Sequence, residues 1–139
     1  MNNPIAPITS TASLTLDQSK HHNATIVMDK ADGWTVSLPA ATGSGFKVRV
    51  YVGTSITSNT GIIAANGTDV IQGCVALATD VAGVTVPTTA TSDKIQLNGG
   101  TTGGILGSFV DLTDVKSATW MVGGFLVSTS TEATPFAAT

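Results

Sequence analysis

Phe46-Lys47-Val48-Arg49-Val50-Tyr51-Val52 is the stretch on which the reading of this chain turns. Side chains of a strand alternate between its two faces. Phe46, Val48, Val50 and Val52 therefore share one side, while Lys47, Arg49 and Tyr51 share the other. This is a half-buried strand with its long polar-tipped side chains outward. Shorter alternations lie around it at Leu14-Thr15-Leu16, Ile26-Val27-Met28, Trp34-Thr35-Val36-Ser37-Leu38 and Lys94-Ile95-Gln96-Leu97. Ser108–Leu112, Ala118–Val122 and Phe125–Val127 add three more toward the C-terminus. Between Ile62-Ile63-Ala64-Ala65 and Thr68-Asp69-Val70-Ile71-Gln72-Gly73 stands Asn66-Gly67, a pair suited to a type I′ hairpin because both residues tolerate positive φ. Asp32-Gly33 predicts a hairpin between the Ile26 and Trp34 strands, and Asn98-Gly99-Gly100 a turn after Leu97. Gly123-Gly124 marks a bulge or a close backbone approach.

Composition supports the same class. The chain has 139 residues, which suits one domain, and 42% are hydrophobic, enough to bury a core. Strong helix formers are scarce, and no long stretch is free of Gly, Pro or β-branched residues, so no long amphipathic helix is expected. About nine or ten strands at this spacing predict an all-β protein: a single compact β-sandwich or barrel, jelly-roll-like, over residues 12–139. Residues 1–11, with Pro4 and Pro7, read as an extended N-terminal arm without a core of its own. Residues 128–139 read as a short Ser/Thr/Ala-rich tail that docks through Phe136. No internal repeat is visible.

Several function classes are disfavoured. Charged residues are 11% and the formal net charge is −3, which does not suit a phosphate-binding surface, so no nucleic-acid partner is expected. No apolar run approaches the ~18–20 residues of a membrane span, and Met1–Pro7 lacks the basic and apolar regions of a signal peptide. Cys74 is alone and reads as a buried, inert thiol. Adjacent His21 and His22 would point to opposite faces of a strand and read as a solvated loop, with no metal site. Asp29-Lys30-Ala31-Asp32-Gly33 lacks the terminal Glu of a calcium loop and reads as a turn. Asp111-Leu112-Thr113-Asp114 also reads as a surface turn, Gly43-Ser44-Gly45 as a flexible one, and Gly103-Gly104 as no phosphate loop. No catalytic constellation, cofactor or small-molecule substrate is indicated, and the expectation is a binding or structural role.

Gly33-Trp34-Thr35-Val36-Ser37-Leu38-Pro39-Ala40-Ala41-Thr42-Gly43-Ser44-Gly45, running into the Phe46–Val52 strand, resembles a pattern of tailed-phage virion proteins. The resemblance continues through Ile63–Gly73, Gly107–Leu112, Trp120–Gly124 and Thr134-Pro135-Phe136, covering roughly residues 12–136. The chain is similar to the small capsid decoration, or head cement, proteins of these phages, and less distinctly to tail-fibre modules.

That resemblance implies a β-structured homotrimer on the outer surface of the expanded capsid, made in the host cytoplasm. There it would bind the major capsid protein, bridge capsomers and stabilise the shell against the pressure of packaged DNA. On this reading Asn3, Pro4 and Ile5 are capsid or intersubunit contacts, and Trp120 and Phe136 sit at the trimer interface. The alternative is a tail-fibre or receptor-binding module recognising host glycan or protein, with Trp34 and Tyr51 as candidate contacts. A hydrolase would draw on Asp111 and Asp114.

Overall fold

The computed structural model describes residues 6–139. Strands take up 51% of the described residues and helix 3%, so the protein is nearly all β. Among the described residues twelve strands form two mixed sheets. The first strands in chain order are β1 (Ile8–Ser10), β2 (Leu14–Thr15), β3 (Ala24–Met28), β4 (Asp32–Ser37), β5 (Lys47–Val52) and β6 (Ser58–Ala64). After them come β7 (Val70–Ala78), β8 (Gly83–Pro87), β9 (Lys94–Leu97), β10 (Phe109–Lys116), β11 (Thr119–Val127) and β12 (Phe136–Ala137). One four-residue helix, α1 (Gln18–His21), sits between β2 and β3, with the Asp17 carboxylate accepting from the Ser19 amide at its start.

The seven-stranded sheet has the order β1-β3-β5-β10-β11-β7-β8 and the five-stranded sheet β12-β9-β6-β4-β2. Neither closes on itself. From β1 to β7 the chain alternates between the sheets at every step. Consequently β1, β3 and β5 pair in parallel in one sheet, and β2, β4 and β6 pair in parallel in the other. Parallel neighbours need a crossover connection, and here each crossover carries a strand of the opposite sheet. The second half closes the array differently: β10 pairs antiparallel to β5, and β9 antiparallel to β6. Parallel ladders separate this topology from a jelly roll, whose sheets are antiparallel.

This topology corrects two predicted hairpins. Asn66-Gly67 joins β6 to β7, which lie in different sheets, so no hairpin forms there. Likewise β3 and β4 lie in different sheets, and Gly33 falls inside β4 rather than in a turn. Asn98-Gly99-Gly100 does turn the chain after Leu97, the Gly100 amide donating to Asn98 Oδ1, but it leads across to the other sheet instead of back into a hairpin. The hairpins between consecutive described strands are β7–β8 and β10–β11. Strand β8 and the terminal β1 and β12 raise the strand count above the predicted nine or ten. Of the stretch read as an arm, Ile8–Ser10 forms β1, paired with Ile26–Met28, and Ile8 packs against the core.

Both sheets contribute to one hydrophobic core. Phe46, Val48, Val50 and Val52 are at most 3% exposed, as the alternation predicted, and Val36, Ile63 and Ile95 of the five-stranded sheet join the same core cluster at 0%. The close approach predicted at Gly123-Gly124 is present: a Cβ at Gly124 would stand 2.3 Å from the Phe109 carbonyl oxygen. At Gly73, on the neighbouring strand, a Cβ would meet the Val122 carbonyl oxygen at 2.1 Å. With φ of 152° and 145°, these two positions admit glycine on both steric and backbone grounds.

Candidate functional site

Residues 41–45 and Asp69 and Asp114 are far apart in the chain, and folding brings them together. Asp114, on β10 beside β5, is 2% exposed. Its carboxylate accepts from the amides of Thr42 (3.0 Å), Gly43 (2.7 Å) and Ser44 (3.0 Å), and from the Ser44 hydroxyl (2.7 Å). The backbone completes the clamp: Gly45 donates to the Asp114 carbonyl, and the Asp114 amide donates to the Phe46 carbonyl. Burial by itself would push this carboxyl up. The hydrogen bonds from Thr42, Ser44 and Gly43 overcome that and hold it below the ordinary aspartate value. A second buried carboxylate, Asp69, accepts from the Ala41 amide at 2.7 Å.

Residues 41–45 are thus fixed by two carboxylates, and Gly43-Ser44-Gly45 is a clamped turn rather than a flexible one. Trp120 meets the Phe46 ring edge-on at a centroid distance of 5.9 Å. Ser44 lacks a histidine or lysine partner, because its hydroxyl donates to Asp114 and accepts from the Phe46 amide. The motif therefore acts as an anchor.

The outer face of the seven-stranded sheet is different in kind. Strand register sets Val27, Tyr51, Phe109, Phe125 and Ala76 in one cross-strand row. Phe125 is 62% exposed, and the Phe109 and Phe125 rings lie 5.8 Å apart, tilted by 49°. Cross-strand aromatic pairs of this kind stabilise a sheet face while leaving ring surface open. Met121 at 50% and Val127 at 38% extend the exposed apolar surface along β11.

In the adjoining row Arg49 forks onto Asp111 (Nε–Oδ1 2.7 Å, Nη2–Oδ2 2.9 Å) and lies 4.4 Å from the Phe109 ring centroid. The Asp111 carboxylate holds the Arg49 guanidinium above its ordinary value. A shallow hollow of about 320 Å³ beside this pair is lined in part by Lys47, Thr25 and Thr113.

The predicted site residues fall in distinct places. Asn3, Pro4 and Ile5 lie outside the described residues. Trp120 is 0% and Phe136 8% exposed, both in the core of the single chain, so a threefold contact would have to use other side chains. Phe136 does dock the tail, through the pairing of β12 with β9. Trp34 is also a core residue, whereas Tyr51 stands on the outer face. Asp111 and Asp114 belong to a strand rather than a surface turn, and three residues apart they take opposite faces, one exposed and one buried.

Cys74 is exposed, contrary to the expected buried thiol. His21 is buried on α1 rather than solvated, its Nδ1 accepting from the Asp17 amide at 2.8 Å, and the His22 ring lies 6.0 Å from Phe46. Asp29 accepts from the Thr54 hydroxyl, while Asp32 opens β4 rather than sitting in a turn and accepts from Ser58 and Asn59 of the neighbouring β6. Among the described residues no three His, Cys, Asp or Glu side chains gather as a metal site, and no helix is long and apolar enough to cross a membrane.

Phe109 and Phe125 were missed as surface residues, although their position was readable. Val110 and Leu112 alternate with Phe109, and Trp120, Val122 and Leu126 fix the inward parity of β11, which sends Phe125 outward. No known protein family, curated protein or solved structure matches the chain.

Proposed function

We propose that this chain is a capsid decoration protein of a tailed phage. It binds the outer surface of the expanded head as a homotrimer, contacts the major capsid protein and bridges capsomers. In this reading the two sheets pack face to face as a sandwich, and the seven-stranded sheet presents the working surface. The observation that carries the proposal is the outward row of Tyr51, Phe109 and Phe125, the first two half-buried and the last exposed, flanked by Arg49 and Asp111. Aromatic side chains and arginine are enriched at protein interfaces, and an apolar row on a flat sheet face suits burial against another protein. The resemblance of residues 33–52 and their partner segments to phage virion proteins supplies the partner. Asn3, Pro4 and Ile5 serve in this proposal as additional contacts to the capsid or a sister subunit. Each bound copy adds interface free energy that the bare shell lacks, and so raises the temperature at which capsomers separate.

The test is co-sedimentation of the purified chain with expanded, undecorated heads. Saturable binding in fixed ratio to the major capsid protein, lost in Phe125→Ser and weakened by removal of residues 1–5, is the expected result. A folded chain that does not bind heads overturns the proposal. The half-buried Tyr51 ring on the outer face, beside a charged pair, favours as a second reading a fibre or receptor-binding module. Glycan binding abolished by Tyr51→Ala would move the assignment to it.

A further inference from the structure

Two Asn-Gly pairs stand in this chain, and the fold treats them in opposite ways. The Asn98 side chain is tied down at both polar atoms: Nδ2 donates to Thr101 Oγ1 at 2.9 Å, and Oδ1 accepts from the amides of Gly100 (2.8 Å) and Thr102 (3.1 Å). The amide that follows is held too, Gly99 donating to the Gly103 carbonyl at 2.7 Å. Asn66, Gly67 and Thr68, by contrast, are exposed in the link between β6 and β7. Among the described residues the Asn66 carboxamide makes no hydrogen bond, and neither does the Gly67 amide. Beyond its chain neighbours, no heavy atom lies within 4 Å of the position a Cβ would take on Gly67.

We infer that Asn66 is a modification site, deamidating spontaneously through Gly67 while the fold protects Asn98. The Gly67 nitrogen attacks Asn66 Cγ: the N–Cγ bond forms, the Cγ–Nδ2 bond breaks, and ammonia leaves with the proton lost by the nitrogen. Water then opens the succinimide at either carbonyl, giving aspartate or isoaspartate, and nothing is oxidised or reduced. Asparagine is among the thermolabile residues, and a following glycine has no Cβ to hinder the attacking nitrogen. At Asn98 the same attack must first break the hydrogen bonds of both carboxamide and nucleophile. The position of Asn66 couples its conversion to the clamped turn. Asp69 donates its amide to the Asn66 carbonyl at 2.9 Å, and its buried carboxylate accepts from the Ala41 amide at 2.7 Å. Either product adds a negative charge close before Asp69. Isoaspartate also reroutes the main chain through Cγ, so the carbonyl that accepts from Asp69 becomes a free carboxylate. Deamidation thus loosens the Asp69–Ala41 contact that helps fix residues 41–45. The inference does not depend on the head-decoration reading.

Peptide mapping of the folded full chain, aged at mildly alkaline pH and then digested with trypsin, tests it. Tryptic peptides 50–94 and 95–116 separate the two asparagines, and fragment spectra locate the acid and distinguish isoaspartate from aspartate. Conversion at Asn66 should run about tenfold or more faster than at Asn98, where the hydrogen bonds to be broken raise the barrier. In chain aged in guanidinium chloride the two rates should converge, because the difference comes from the fold. The converted chain should show a shifted Ala41 amide resonance and a lower unfolding midpoint, and Asn66→Gln should prevent both changes on ageing. Equal rates in the folded chain, faster conversion at Asn98, or rates that stay apart in denaturant overturn the inference. So does a folded chain that resists conversion at Asn66 while the denatured chain converts there. An unchanged Ala41 resonance and midpoint after conversion overturn its coupling to the turn.

Discussion

The two halves of this chain are written in the same local vocabulary and fold by different rules. Residues 8–64 and 70–137 both consist of short alternating strands separated by Gly, Asn and Asp. In the first half, every connection crosses from one sheet to the other, and neighbours within a sheet are parallel. In the second, two connections are true hairpins, and antiparallel strands seal the first half in both sheets, β10 on β5 and β9 on β6. A turn signal therefore announces a change of direction without saying whether the chain returns beside itself or crosses to the opposite layer. What decides is where the next apolar face can be buried, a tertiary matter.

If the halves depend on each other, the seam between them is where a substitution does most damage. Trp120 of β11 packs edge-on against Phe46, the residue just before β5. Trp120→Ala should cost about 3–5 kcal/mol, as truncation of a large buried ring does, and urea denaturation should show one cooperative transition at a lower midpoint. Two separated transitions would mean that the halves fold as independent units.

The next effect belongs to Asp114, which reaches from the second half to the turn that feeds β5. Replacing it with Ala removes a carboxylate that accepts from three amides and from the Ser44 and Thr42 hydroxyls. Because the turn itself is exposed, water can satisfy the freed amides, and the loss should be about 2 kcal/mol in the same denaturation experiment. The pH dependence has a definite sign. The folded-state pKa lies below the ordinary value of 3.8, so the unfolded chain takes up the proton first. The stabilisation is complete above that value and is lost as pH falls through it toward the folded-state pKa. Asp114→Asn should flatten the acid limb of stability against pH below about pH 5. An unchanged acid limb would show that other carboxylates govern it.

Much of this could be read in advance, and the failures share one cause. Val48, Val50 and Val52 were placed correctly because alternation is a local property, and so was the docking of Phe136. The reading failed wherever a residue's role depended on a distant partner. Asp114 sits in an ordinary strand sequence, and only the crossover topology sets it under the turn at Thr42–Ser44. Trp120 is as consistent with an interface as with a core until the face of β11 that carries it is seen to be buried within the single chain. The stacked parallel strands leave no repeat in the sequence, because their connections differ in length. The β3-to-β4 link spans residues 29–31, whereas 38–46 separate β4 from β5.

The smallest effects on stability should come from the face that both halves build together. Tyr51 comes from the first half, and Phe109 and Phe125 from the second. Arg49 and Asp111 are 47% and 50% exposed, and an ion pair so open to solvent contributes less than about 1 kcal/mol. Arg49→Ala should therefore leave the unfolding midpoint almost unchanged, and Phe125→Ser, at a ring 62% exposed, should do the same. Head binding is where these variants should differ from the core variants. If the face is a contact surface, each should bind undecorated heads more weakly while remaining as stable as the parent chain. A fall in binding that merely tracks lost stability would instead make the row a support for the β5–β10–β11 pairing. Comparing the midpoint with the bound fraction in the same variant separates a surface kept for a partner from one kept for the sheet.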